Sequence, residues 1–134
     1  MKRIALLSLL FISVSAFSQE SPSGTPKIAI KIEEGATVVL QGVSITFAAV
    51  LEDSRCPKYT NCIWAGRAVV EVEVSGEGVT ETKKIYLGET RPNEPTGKTM
   101  YEKDNYAIEV AALQPYPEEG KEKAPYVLLI AERK

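Results

Sequence analysis

Residues 68–87, AVVEVEVSGEGVTETKKIYL, carry the clearest strand signal in the chain. Valine occupies every second position from 70 to 74, and two glutamates, Glu71 and Glu73, lie between these valines. Successive side chains of a strand point to opposite faces, so the pattern predicts a strand with one buried and one polar face. Residues 75–78, Ser-Gly-Glu-Gly, supply a hairpin turn with two glycines available for positive φ. Residues 79–87 return as a more polar strand, whose lysines favour a sheet edge.

The two-residue period recurs on both sides of this hairpin. Alternating or β-branched segments predict further strands at residues 28–32, 36–40, 43–51, 106–112 and 126–131. The last of them, YVLLIA, is apolar throughout, which predicts burial on both faces, or nearly so. Loops rich in proline and charge separate the segments, and none has the spacing of an amphipathic helix. About seven strands therefore predict an all-β fold, either an antiparallel sandwich of the immunoglobulin-like kind or a small barrel.

The N-terminal residues have the pattern of a secretory signal peptide. Met1-Lys2-Arg3 is basic, and residues 4–17, IALLSLLFISVSAF, are uncharged but too few to span a membrane. The sequence Ala-Phe-Ser before Gln19 favours cleavage after residue 18, with cleavage after Ala16 as the alternative. We expect a signal peptide over residues 1–18, a flexible leader over 19–26 and a single β-domain over 27–134, exported to the periplasm or the cell exterior.

The composition argues against several classes of function. The 134 residues include 16 Lys and Arg, 18 Asp and Glu, two Cys and no His. Without histidine the chain lacks Ser-His or Cys-His catalytic pairs and His-ligated metals, so we expect no metal site. Removal of Lys2 and Arg3 with the signal peptide leaves 14 basic and 18 acidic side chains, a net charge of −4. Such a domain is not expected to bind nucleic acid.

Two further patterns suggest chemistry but have simpler interpretations. Residues 92–99, PNEPTGKT, end like a phosphate-binding loop, but Pro92 replaces the first glycine, so we expect no nucleotide binding. Glu71 and Glu73 lie two apart on one strand and face the same way, whereas a glycosidase places its two carboxylates across a cleft. We therefore expect no enzyme activity and no cofactor.

The segment 52–66, EDSRCPKYTNCIWAG, contains both cysteines and the only tryptophan. In an oxidising compartment Cys56 and Cys62 are expected to form a disulfide, and their spacing differs from the C-x-x-C of redox-active pairs. On the chain-entropy model, closing this ring of seven residues stabilises the fold by roughly 2–2.5 kcal/mol. Pro57 stiffens the ring further because it fixes φ.

The residues beside the ring have predicted local roles. Asp53 and Ser54 can hydrogen-bond the nearby backbone, and Asp53 lies close enough in sequence to pair with Arg55. We expect Trp64 to cover the disulfide or to fill the end of the core. The small residues Ala65 and Gly66 allow two backbone segments to approach closely.

The motif D-S-R-C-P, four residues and C-I-W-A-G resembles the signature of a family of small secreted or lipid-anchored bacterial proteins of uncharacterised function. The resemblance covers about residues 36–132, including a late strand that ends in Leu-Gln-Pro at residues 113–115. It implies an extracytoplasmic β-domain and no activity. The residues at motif positions are Asp53, Ser54, Arg55, Cys56, Pro57, Cys62, Trp64, Ala65 and Gly66.

This motif has two interpretations. It is either a structural corner or a rigid loop that presents Arg55, Lys58, Tyr59 and Trp64, which are residue types favoured in recognition. We expect a secreted or periplasmic non-enzymatic domain, structural or binding at the cell envelope. A protein, glycan or surface partner would contact a sheet face or the disulfide loop. The alternative is a protease inhibitor that presents Lys58-Tyr59 in the Cys56–Cys62 ring, since a closed ring reduces the entropy lost on binding.

Overall fold

The computed structural model describes residues 25–134. The predicted signal peptide, residues 1–18, and most of the predicted leader, residues 19–26, therefore lie outside the described residues. Eight strands follow one another in the described part: β1 (Lys27–Glu33), β2 (Thr37–Leu40), β3 (Val43–Asp53), β4 (Arg67–Gly76), β5 (Val79–Gly88), β6 (Thr99–Lys103), β7 (Tyr106–Gln114) and β8 (Tyr126–Arg133). Over the same residues, no helix has the length and apolar character needed to cross a membrane.

The strands form two antiparallel sheets of four. One has the order β1-β8-β7-β6 and the other the order β2-β3-β4-β5. The alternating residues on the inner faces of both sheets meet in one core, in which Ile45 and Phe47 from β3 and Ile108 and Leu129 from β7 and β8 are fully buried. The predicted all-β sandwich is confirmed, and the sheets do not close into a barrel.

The predicted hairpin is present, and its turn uses one of the two glycines. β4 and β5 pair without interruption from Arg67 opposite Gly88 to Gly76 opposite Val79. The two linking residues, Glu77 and Gly78, have φ of 53° and 81°, which is the pattern of a type I′ turn. β5 is an edge strand, as its lysines predicted.

Two strands differ from the sequence-based expectation. β6 was not predicted from the sequence. Its five residues, TMYEK, are too few and too polar to show a two-residue period, and only Met100 is buried. β8 is central in its sheet, and Val127, Leu129 and Ala131 are buried. Its alternate residues, among them Leu128 and Ile130, are only half-buried, since their face of the sheet points away from the core. The strand is therefore fully buried on its inner face and only partly covered on its outer face.

Candidate binding site

The disulfide loop, residues 54–66, connects β3 to β4 and is closed both by a disulfide and by backbone hydrogen bonds. Cys56 and Cys62 form the predicted disulfide, with their Cα atoms 5.9 Å apart. Below the ring, the Cys56 N–H donates to the Ala65 carbonyl at 2.9 Å, and the Ser54 N–H donates to the Arg67 carbonyl at 2.8 Å. The ladder of β3 and β4 thus continues into the loop, and the covalent ring lies on top of it.

Gly66 allows the two sides of this loop to meet. Its φ is +73°, and a Cβ added there would lie 1.9 Å from the Ser54 carbonyl oxygen. Both the backbone conformation and the space therefore require glycine. The predicted close approach of two backbone segments is found at this residue.

Arg55 joins the disulfide loop to the loop between β7 and β8, residues 115–125. Its guanidinium binds both carboxylate oxygens of Asp53, at 2.7 and 2.6 Å, so the predicted pair is present. It also donates to the carbonyls of Leu113, at 2.7 Å, and Pro115, at 3.1 Å, and lies over the Tyr116 ring at 4.8 Å. The side chain is only 9% exposed. Arg55 therefore links the two loops, and little of its side-chain surface is accessible to a partner.

Lys58 and Tyr59 occupy a tight turn inside the ring. The Thr60 N–H donates to the Pro57 carbonyl at 3.2 Å, and Tyr59 has a φ of 64°. The Lys58 N–H donates to the Pro117 carbonyl at 2.8 Å, which fixes the ring against residues 115–125. Both side chains are exposed, but the backbone between them is bent.

Arg67, a residue that the sequence did not single out, holds the other side of the loop. It is buried and forms a bidentate pair with Glu52 at 3.0 and 2.8 Å. It also binds Glu94 at 2.6 Å, in the loop between β5 and β6. Its hydrogen bond lowers the pKa of Glu52. The Arg91 N–H and then Arg67 lower the pKa of Glu94. The only sequence signal for this ion-pair network was the position of Arg67, immediately before the apolar run of β4. Its partner Glu94 lies 27 residues further along the chain, so sequence spacing does not indicate the pair.

Three large apolar side chains of the loop face solvent. Tyr59 is 96% exposed, Ile63 93% and Trp64 72%. The prediction that Trp64 fills the end of the core is therefore wrong. The core ends below the loop, where Ala68 and Val70 are buried, and the chain from Cys62 to Ala65 extends beyond it into solvent.

Trp64 lines a cleft of about 260 Å³ between the disulfide loop and the segment that follows β5. The exposed residues Glu89, Thr90 and Arg91 line the same cleft. The Arg91 side chain is 68% exposed, and its guanidinium lies 3.7 Å from a Glu52 carboxylate oxygen. The complete lining is Glu52, Ser54, Trp64, Gly66, Arg67, Glu89, Thr90 and Arg91.

Comparison with known proteins identifies no relative: no family model, no curated protein and no solved structure matches this chain. Within residues 25–134, no group of three or more Cys, Asp or Glu side chains is placed to hold a metal ion. The candidate site is therefore defined by its geometry. It consists of a braced loop that exposes Tyr59, Ile63 and Trp64, beside a small polar cleft.

Proposed function

We propose that this protein is an exported, non-enzymatic binding domain that contacts a partner at the cell envelope through its disulfide loop. The observation that carries the proposal is the exposure of Tyr59, Ile63 and Trp64 on a loop whose backbone is fixed. Single exposed apolar side chains are common, but three large ones on one short loop are typical of an interaction site on a soluble domain. Aromatic residues also contribute most of the energy in many interfaces.

The bracing of the loop supports the same function. The disulfide, the Arg55 contacts with Leu113 and Pro115, and the Lys58 bond to Pro117 together fix the loop before any partner arrives. A loop that is already ordered loses little conformational entropy on binding. A purely structural corner accounts for Arg55 and its partners, but it gives no reason for Trp64 to face solvent.

The loop geometry favours this function over protease inhibition by Lys58-Tyr59. An inhibitor presents its scissile bond in an extended backbone, as a substrate does. Here Lys58 and Tyr59 are the central residues of a turn, and the positive φ of Tyr59 is uncommon for a residue with a side chain. A trypsin assay tests the alternative directly, since an inhibitor would block trypsin at stoichiometric concentration.

Export is part of the proposal and is supported by the disulfide, because such bonds persist in oxidising compartments. The N-terminal pattern of residues 1–18 agrees with it. Mass spectrometry of the protein secreted by its own cells checks this part, with a mature N-terminus at Gln19 as the expected result.

Cosedimentation of the purified protein with envelopes of the producing cells tests the binding function. We expect saturable binding by the wild type and a loss of about tenfold or more in the variant Y59S/I63S/W64S. The matched control is V39T/V79T, which alters two side chains that are 64% and 67% exposed and lie outside the loop. Equal losses in both variants, or no saturable binding by the wild type, would refute the proposal.

A further inference from the structure

We infer that the partner is a neutral glycan and that one of its pyranose rings stacks on Trp64 in the cleft formed with residues 89–91. This inference rests on the proposed binding function and names the ligand class for the same site. It follows from three properties of the cleft: the exposed indole, the polar groups around it and their balanced charge.

The indole of Trp64 provides an apolar surface at the edge of a polar cleft. It is 72% exposed and lines the cleft together with side chains that carry hydroxyl, carboxylate or guanidinium groups. The face of an aromatic ring carries a partial negative charge and attracts the slightly positive C–H groups of a pyranose. A pyranose whose hydroxyls are equatorial presents such C–H groups on both flat faces.

The polar side chains that line the cleft beside Trp64 can bind the hydroxyls of the same sugar ring. Arg91 offers several N–H donors, Glu89 two acceptor oxygens and Thr90 a hydroxyl, and all three side chains are exposed. An apolar peptide side chain in this cleft would remove these groups from water without replacing their hydrogen bonds, which is costly. A sugar ring can stack on the indole through its C–H groups and form hydrogen bonds with the polar side chains through its hydroxyls.

The charge of the cleft favours a neutral ligand. Among the lining residues, the positive charges of Arg67 and Arg91 equal in number the negative charges of Glu52 and Glu89, so the formal sum is zero. Arg67 is already bound by Glu52 and Glu94, which leaves it little capacity for an anion. Because Arg67 and Glu52 are paired with each other, the accessible charges are the Arg91 guanidinium and the Glu89 carboxylate, one of each sign. A phosphate or a polyanionic chain would therefore gain one attractive and one repulsive contact.

The size of the cleft fits one ring of a longer chain. Its volume of about 260 Å³ lies below the roughly 300–1,000 Å³ of sites that enclose drug-sized molecules. Arg67 and Glu52, which line the cleft, are fixed by their bidentate pair and by the bond from Arg67 to Glu94. The close approach at Gly66 fixes the backbone that carries Trp64. The backbone around the cleft is therefore in place before a ligand arrives.

Titration of the full secreted protein with cellopentaose and with chitopentaose tests the inference. Both are neutral chains of β-linked rings with equatorial hydroxyls. Trp64 is the only tryptophan, so its fluorescence reports stacking directly. We expect saturable binding of at least one probe by calorimetry, with a blue shift of the emission as the indole leaves water.

Variants of Trp64 and Arg91 show whether the probe binds in this cleft. W64A should weaken binding by about thirtyfold or more, W64F should retain part of the affinity, and R91A should weaken it by about tenfold. The matched control is V79T, since Val79 is 67% exposed but lies outside the disulfide loop and does not line the cleft. Absence of binding at millimolar probe, or wild-type affinity in W64A or R91A, would overturn the inference.

The envelope assay separates this inference from the proposed function. If neither probe binds while Y59S/I63S/W64S still loses envelope binding and R91A does not, the glycan inference fails and the function stands, with a protein as the partner. If a probe binds through Trp64 and Arg91 but envelope binding is independent of the loop, the glycan inference stands and the proposed role at the envelope fails.

Discussion

Replacement of Gly66 by alanine should be one of the most destabilising single-methyl changes in the molecule. Gly66 has a φ of +73°, which costs an L-residue about 1–2 kcal/mol. The new Cβ would lie 1.9 Å from the Ser54 carbonyl oxygen, whereas real Cβ atoms essentially never approach closer than 3.0 Å. The two sides of the loop must therefore separate by about 1 Å or more.

This separation has a calculable cost. It lengthens the two backbone hydrogen bonds at the base of the loop, from Ser54 to Arg67 and from Cys56 to Ala65. Each such bond contributes about 0.5–1.5 kcal/mol. Together with the cost of the positive φ, the G66A variant should lose about 2–5 kcal/mol of unfolding free energy.

A second glycine provides the matched control. Gly78 has nearly the same φ, +81°, but an added Cβ there meets nothing within 4 Å. G78A should therefore lose only the cost of the positive φ, about 1–2 kcal/mol. Urea denaturation measures both variants, and a difference of about 2 kcal/mol moves the midpoint by about 1 M at a typical slope. Equal midpoints for G66A and G78A would refute the steric argument and leave only a conformational role for Gly66.

Three other predictions concern the same region. Trp64→Ala should lower the unfolding free energy by less than about 1 kcal/mol, because the side chain is 72% exposed; a loss of 3–5 kcal/mol in thermal unfolding would instead indicate a core residue. The double variant C56S/C62S should lose about 2 kcal/mol in urea denaturation, and an unchanged midpoint would contradict the chain-entropy estimate. The lowered pKa values of Glu52 and Glu94 mean that their contribution to stability is complete above their ordinary value of 4.5 and is lost as the pH falls through the lower folded values. Urea midpoints from pH 7 to pH 3 should show this loss, and E94Q should show less of it; identical profiles would argue against the Arg67 network as its source.

The strands were predictable where one face of a sheet is buried. In β4 the alternation of valine and glutamate corresponds to the inner and outer faces of the sandwich, since strand geometry alone imposes the period. β6 has one buried residue, Met100, and a segment with so little burial shows no period. For β8, residues 126–131 are apolar on both faces, so their pattern does not distinguish the buried inner face from the partly covered outer face.

The candidate site was predictable only where its contacts are local in sequence. The Cys56–Cys62 disulfide and the pair of Asp53 with Arg55 join residues six and two apart, so spacing and residue type were sufficient. The contacts of Arg55 with Leu113 and of Arg67 with Glu94 span 58 and 27 residues. No pattern along the chain indicates such partners.

The all-β class, the hairpin of β4 and β5 and the short disulfide ring were predictable from the amino-acid sequence, because each depends on neighbouring residues and on the fixed geometry of the backbone. The environment of Trp64 was not, since it arises from packing between distant segments. Burial depends on which loops and sheets surround a side chain, and here the loop extends past the end of the core. The same packing brought residues 89–91 and Trp64 to one cleft, on which the proposed recognition depends.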